Sequence, residues 1–557
     1  MSLKRYTITL TVLSVLTLAV FGRTINYPFE FDDITSVVEN PSVKSLSNIP
    51  AFFIRPATKE ANYQETGAYR PVVFASYALD YSLGGLKPAQ FRLTNIVLHI
   101  INCILLFLLI QSLLAPRGPD PWPWSLIAAA LFCVHPIQTE PVIYVAARSV
   151  LLLTSFFLAS LICYVRYRTT GRVQMLVAAV ALYSLSLLSK ESAVPLAGVF
   201  VMLEFYLSRH SGQVPKGYSW RGVSSFFAAS ALFVPLRLYI MSLGKTPPEM
   251  GGYAAHWTAE LAVLPRYLKL LVLPWGLSVD HYSPVGAGIY LLAGTVMLAL
   301  AGYIAIRYFK QDPLIAALVA WPFLALLTEM LFPLPDKMVE YRLYLPLAGI
   351  LVLKAAFVQD SKIIGSGTGG VAALVLSIFL VGALGTASYV RAGVWASPET
   401  LWSDAVEKAP LLARPRYNLG DYYYKHKDYR RASEYFREAV RLKPDFDDAY
   451  AALGNAYVAM GQPGEAVGMY KKAFELNKEN IAAGNNLAVN YVMLGDYQAA
   501  FRTFVEMSDA SPDNNEIVDS AAELFEYYGR QDLADGLYRH RDERIRSGIG
   551  SAGLPGH

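Results

Sequence analysis

The chain has 557 residues, 54% hydrophobic and 13% aromatic but only 17% charged. Of its charged residues, 44 lie in the last 161 positions and 48 in the first 396. A soluble domain averages about 25% charged residues, so the C-terminal part has a soluble composition and the N-terminal part does not. That excludes a single soluble globule, a disordered chain and a secreted disulfide scaffold. The net +4 combines +10 in the first part with −6 in the last. Basic excess in a membrane-embedded segment reports topology rather than an anionic partner, so no nucleic acid is expected.

Apolar runs long enough to span a bilayer lie near 6–22, 93–114, 124–142, 149–165, 174–189, 192–207, 223–241, 287–306, 313–332, 342–358 and 369–389. A further run, 261–279, is interrupted by Pro265, Arg266, Lys269 and Pro274 and reads as re-entrant or interfacial. With Lys4 and Arg5 in the cytoplasm, about eleven spans put Arg117, Arg166, Arg168, Arg172, Arg209, Arg307, Lys310 and Lys354 on the cytoplasmic side. Counting 261–279 as a span would turn Arg307 and Lys310 outward. The odd count sends the C-terminal part to the non-cytoplasmic face. A basic start and a short apolar run fit either a signal peptide or an anchor. No small-x-small site follows Val20, so an uncleaved anchor is expected.

Cys103, Cys133 and Cys163 all lie in apolar runs and read as small buried hydrophobes, with no metal spacing and no disulfide framework. Acidic residues number only 19 before position 397, so each one beside a span is informative. In this topology the outer side gathers Asp32 and Asp33 after the first span, Arg70 in Tyr69-Arg70-Pro71, and His135 to Glu140 at the end of the third span. It also gathers Arg148, the turn Lys190-Glu191, Glu329, and Glu340 and Arg342 before the tenth span. Together they are expected to line one outward-facing cavity. Carboxylates there can deprotonate a hydroxyl, and cations at that depth can hold the phosphate of a lipid-linked substrate. Each also has a structural reading, as a helix cap, an interface anchor or an ion pair.

Residues 397–545 repeat with a period of 34. Leu419-Gly420, Tyr423, Ala432, Phe436 and Ala439 recur as Leu453-Gly454, Tyr457, Ala466, Tyr470 and Ala473, then as Leu487-Ala488, Tyr491, Ala500 and Phe504. This is the tetratricopeptide pattern, an α-solenoid with a concave face for a peptide or partner. A degenerate fourth unit keeps Phe525, Ala534 and Tyr538, and residues 546–557 read as a flexible tail.

These motifs, with Phe91-Arg92-Leu93-Thr94-Asn95, Leu98-His99, His135-Pro136-Ile137-Gln138-Thr139-Glu140 and Glu340-Tyr341-Arg342-Leu343-Tyr344-Leu345-Pro346, occur in an order that resembles the transmembrane-and-tetratricopeptide family of protein O-mannosyltransferases, including its bacterial relatives. The resemblance implies an all-α, GT-C-like membrane domain over 1–396, with a long first outer loop at 23–92, followed by the repeats. It implies an inverting glycosyltransferase that uses a polyprenyl-phosphate sugar at the outer face, with a protein or glycan acceptor and the divalent-metal requirement left open. By the same resemblance Asp32 or Asp33 is the base; Asp33 is the expected base, with Asp32 orienting it. Arg70, Arg148 and Arg342 are candidates for the donor phosphate, Lys190, Glu191 and Glu340 lie with them, and His135 and Glu140 shape the site. The implied location is a bacterial inner membrane, N-terminus cytoplasmic and repeats periplasmic or lumenal. Arg148 is followed by Ser149-Val150 where many relatives carry Ala-Asp, which leaves the sugar open. The rival readings are a membrane scaffold for envelope or secretion proteins, and a lipid-linked sugar transporter.

Overall fold

The computed structural model describes residues 2–55, 69–118, 120–210, 219–242, 252–281, 288–332, 336–361, 367–512 and 514–547. It divides into two compact units, Met1–Ser397 and Pro398–His557. The described elements are all helical.

In the first unit, nine helices among the described residues are long and apolar enough to cross a membrane, from Leu3–Asn26 to Gly369–Val394. The other two apolar runs take different forms. The run at 124–142 is a pair, Trp122–Val134 and Pro136–Ile143, bent by 53°. Pro136 has no N–H to continue the helix and holds His135 in an extended conformation (ψ 131°), so the chain must turn there. The run at 174–189 is the 17-residue helix Val173–Ser189. It ends at Lys190, whose extended backbone (ψ 135°) leads into the short 3-10 helix Glu191–Leu196.

Burial shows which helices form the centre. The most apolar stretch of Val145–Thr170 is 83% buried within the chain, and that of Gly288–Phe309 only 6%. An exposed helix this apolar needs lipid as its solvent. Core packing is close: the Trp321 ring sits 5.4 Å from that of Phe157, and a Cβ at Gly349 would meet the Trp321 ring at 2.6 Å.

Residues 261–272 of the interrupted run lie in the helix Tyr253–Val272, which is not among the nine, and 273–279 follow it without helix. One face buries His256, Glu260, Val263, Leu264 and Tyr267, while Trp257, Leu268 and Val272 stay exposed. A Cβ at Gly294 of the next helix would lie 1.8 Å from the Leu261 carbonyl oxygen, so only glycine permits this approach.

The second unit stacks paired helices from Pro398–Lys408 to Gln531–Arg546. The 34-residue period has a direct cause. A Cβ at Gly420 would meet the Phe436 ring at 2.8 Å, and one at Gly454 the Tyr470 ring at 2.6 Å. A small residue on the first helix of each pair thus admits the aromatic of the second. The turns repeat too: Asp428, Gln462, Asp496 and Arg530 each donate their N–H to the carbonyl five residues back, at 2.8–2.9 Å. The residue before each has positive φ, and it is Gly461, Gly495 and Gly529 in three turns but Lys427 (φ 64°) in the first. The tail at 546–557 lies, beyond Ser547, outside the described residues.

Candidate active site

The loop after the first helix makes a sharp turn at Phe31, a non-glycine residue with φ 53°. Such a backbone costs about 1–2 kcal/mol and persists only where its surroundings enforce it. The turn drives the two acidic residues apart. Asp33 is fully buried: its Oδ1 accepts from the Ala146 N–H at 2.8 Å and its Oδ2 from the Glu30 N–H at 3.3 Å. Burial pushes its carboxyl up to about 6, and the Arg92 guanidinium and these N–H groups keep it from rising further. Asp32 is exposed, and its N–H donates to the Tyr144 hydroxyl at 3.1 Å.

Arg92, from the helix Pro88–Leu114, clamps this turn. Its guanidinium donates to the carbonyls of Tyr27 (3.1 Å), Pro28 and Ile143. Sequence assigned Arg92 no role; its only signal is the arginine in Phe91-Arg92-Leu93-Thr94-Asn95, at the start of the second apolar run.

Tyr144 leads from the loop to a second group. Its ring stands 6.1 Å from Phe31 and 5.8 Å from Trp395, and its hydroxyl lies within electrostatic reach of Asp32, Asp33 and Tyr341. Around Tyr341 gather three of the cations that the sequence grouped together. Lys190 Nζ is 5.2 Å from the ring centroid, and Arg70 and Arg342 act on its hydroxyl. Arg70 forms a forked pair with Glu191 at 3.0 and 3.3 Å, and Arg237 approaches the same carboxylate at 3.9 Å. Lys190 pairs with Glu329 at 3.1 Å, and Ser192 donates to the same oxygen at 2.6 Å. Arg342 is held by the carbonyls of Asp336 (2.8 Å) and Lys337 (3.2 Å) rather than by a carboxylate. Glu140 accepts from the Tyr341 N–H at 2.9 Å, and Glu340 accepts from the Ser278 N–H at 2.6 Å and pairs with His281 at 2.8 Å.

Two sequence candidates stand elsewhere. Arg148 is fully buried, pairs with Asp80 at 2.6 Å, and donates to Asn95 (2.8 Å), Ser76 (3.1 Å) and the Phe91 carbonyl (2.8 Å). With its donors turned into the protein, it braces the bundle and presents nothing to a phosphate. This corrects its place among the phosphate candidates. His135 uses its Nδ1 to accept from the Ile137 N–H at 3.2 Å, which caps the short helix after the break.

The remaining histidine motif makes a buried cluster, His99 with Cys103 and Cys133, whose ligand atoms lie within 4.8 Å of one another. Both ring nitrogens of His99 are engaged, one with the Tyr344 hydroxyl at 2.7 Å and one with the Cys133 carbonyl at 3.0 Å. The nitrogen at the carbonyl must carry the proton, and the other accepts from Tyr344, so no lone pair remains for a metal.

Sequence comparisons agree with the motifs. The protein O-mannosyl-transferase TMTC3 of Homo sapiens is 24% identical, matching 86% of this chain and 57% of its own length. A protein O-mannosyl-transferase of Caenorhabditis elegans is 26% identical over 75% of this chain and 60% of its own. TMTC4 of Mus musculus is 26% identical over 73% of this chain and 63% of its own. The chain spans about three fifths of the length of these curated relatives. A model described as "TPR repeat" matches residues 420–461, and one described as "Tetratricopeptide repeat" matches 447–480. Among solved structures, MamA is similar over 27% of this chain and 86% of its own, at 20% identity and a TM-score of 0.23. Over most of its length this chain, a polytopic membrane helix bundle followed by tetratricopeptide repeats, is a relative of the transmembrane-and-tetratricopeptide protein O-mannosyl-transferases.

Proposed function

We propose that this chain is an integral-membrane glycosyltransferase. It moves one sugar from a polyprenyl phosphate to a hydroxyl of a protein acceptor on the non-cytoplasmic face, which in a bacterium is the outer side of the inner membrane. The observation that carries the reading is an exposed carboxylate, Asp32, on a strained turn. Tyr144 and Tyr341 link it to the cations Arg70, Lys190 and Arg342. A scaffold needs no such juxtaposition. The names of the relatives support the class of reaction.

Asp32 is the base and Asp33 its buried support, the reverse of the order expected from sequence. Asp33 has both oxygens occupied by backbone N–H groups, so it fixes the turn. In the reaction the acceptor O–H gives its proton to Asp32 while its oxygen bonds to the sugar's anomeric carbon. The bond from that carbon to the phosphate oxygen breaks, and its electron pair leaves on the polyprenyl phosphate. A single displacement of this kind inverts the anomeric centre. Arg342 leads in stabilising the departing phosphate, because among the described residues it forms no ion pair within 4 Å, with Lys190 and Arg70 as the further cations. The repeats bind the acceptor protein.

The test is transfer of labelled sugar from polyprenyl phosphate in membranes carrying the full chain. Asp32→Asn is expected to lower the rate by on the order of 10²-fold or more with abundance unchanged, and Asp33→Asn to lower it less. Near wild-type transfer by Asp32→Asn would refute the assignment, and no transfer by the wild type with any polyprenyl-phosphate hexose would favour the scaffold reading.

A further inference from the structure

Among the carboxylates beside the cation group, one has no visible employment. Glu329 has one oxygen held by Lys190 and Ser192, and Glu340 has one held by Ser278 and His281. Glu260 is 3% exposed, its Oε1 has no hydrogen-bond partner, and among the described residues it forms no ion pair. A buried polar group without a partner costs about 1–3 kcal/mol, more if charged, and such a cost is retained where a ligand supplies the partner.

The position of Glu260 is fixed from both sides along its helix. One turn before it, His256 contacts the Glu329 carbonyl at 3.1 Å and Lys337 Nζ at 3.2 Å. Two turns after it, the Tyr267 hydroxyl donates to the Val339 carbonyl at 3.2 Å and accepts from the Val339 N–H at 3.0 Å. Glu260 therefore faces the segment that carries Lys337 and Arg342, and both cations, with Glu329, act on its carboxyl.

We propose that Glu260 is the residue that recognises the donor sugar, its carboxylate accepting from sugar hydroxyls while Arg342 holds the adjoining phosphate. This rests on the transferase reading above. The chemistry fits a polyol joined to an anion: the hydroxyls meet a buried carboxyl group, and the phosphate meets the cations that flank it. The helix Tyr253–Val272, one face buried and the other exposed, sets that acceptor beside the ends of the spans where a lipid phosphate sits. An apolar or a free-phosphate ligand would have no use for an unpaired carboxylate there.

The test uses the purified full chain in lipid nanodiscs, with binding of sugar-free polyprenyl phosphate and of its mannosyl, glucosyl and galactosyl derivatives. Glu260→Ala is expected to lower the preference for the favoured sugar by on the order of ten-fold or more and to leave sugar-free polyprenyl phosphate bound as in the wild type. Arg342→Ala is expected to weaken both. Glu260→Gln keeps the shape and one acceptor oxygen and should give an intermediate preference, so it carries the test should the alanine variant fail to fold. Unchanged sugar preference in both Glu260 variants, with wild-type binding intact, would overturn this assignment alone. Failure of the wild type to bind any of the four lipids would overturn the transferase reading with it.

Discussion

Replacing Arg148 by alanine removes a guanidinium that is fully buried and engaged by Asp80, Asn95, Ser76 and the Phe91 carbonyl. Asp80 would then remain 4% exposed, with hydroxyl donation from Thr94 (2.6 Å) and a long contact from Gln90 (3.4 Å) but no cation. Breaking a buried pair by deleting one partner typically costs about 3–5 kcal/mol. The loss should appear as reduced abundance and a lower melting temperature, followed by fluorescence-detected size exclusion after heating in detergent. A second change, Asp80→Asn in the Arg148→Ala background, removes the orphaned charge and should recover part of the loss. Arg342→Ala should behave in the opposite way, with abundance near wild type and binding of polyprenyl phosphate reduced. Arg148→Ala protein that melts like the wild type but binds donor poorly would refute the structural assignment and return Arg148 to the phosphate.

Further expectations follow from the same geometry. Because Asp33 is raised from 3.8 to about 6 in the folded chain, it takes up a proton on folding between these values. Its contribution, on the order of 3 kcal/mol, is present below about pH 4 and lost as pH rises through 6, and Asp33→Asn should flatten the melting temperature over that window. Lys427→Gly should stabilise the repeat unit by about 1 kcal/mol, read by urea unfolding; no gain would mean that the turn relaxes differently in solution. Gly294→Ala should force apart the helices Tyr253–Val272 and Gly288–Phe309, since its Cβ would lie 1.8 Å from a carbonyl oxygen; a variant with wild-type melting would show that the two helices are not tightly joined. A reporter fused after Gly550 should be active only on the non-cytoplasmic side, and cytoplasmic activity would overturn the odd span count.

Spans and repeats were legible because both follow from interactions between neighbours in the chain. A run of apolar residues needs only lipid around it, and Gly420 meets Phe436 sixteen residues on, within one repeat. The bend at His135-Pro136 was not expected: 124–142 reads as one span, and the structure breaks it by 53°. Sequence grouped the charges beside the spans by expected sidedness; in the structure Arg70 pairs with Glu191, and Lys190 with Glu329. It could not assign their partners. Arg148 finds Asp80 across 68 positions, Arg70 finds Glu191 across 121, and Tyr341 finds Glu140 across 201. Nor could it distinguish Asp32 from Asp33, because adjacent residues of the same chemistry differ only in the direction the backbone gives them. The positive φ at Phe31 gives that direction, and the packed helices around the loop maintain it. Local composition determined which residues the bilayer and the solenoid would accept. Only the tertiary structure decided which buried charges pair with one another and which do not, since burial and pairing are properties of the packed chain.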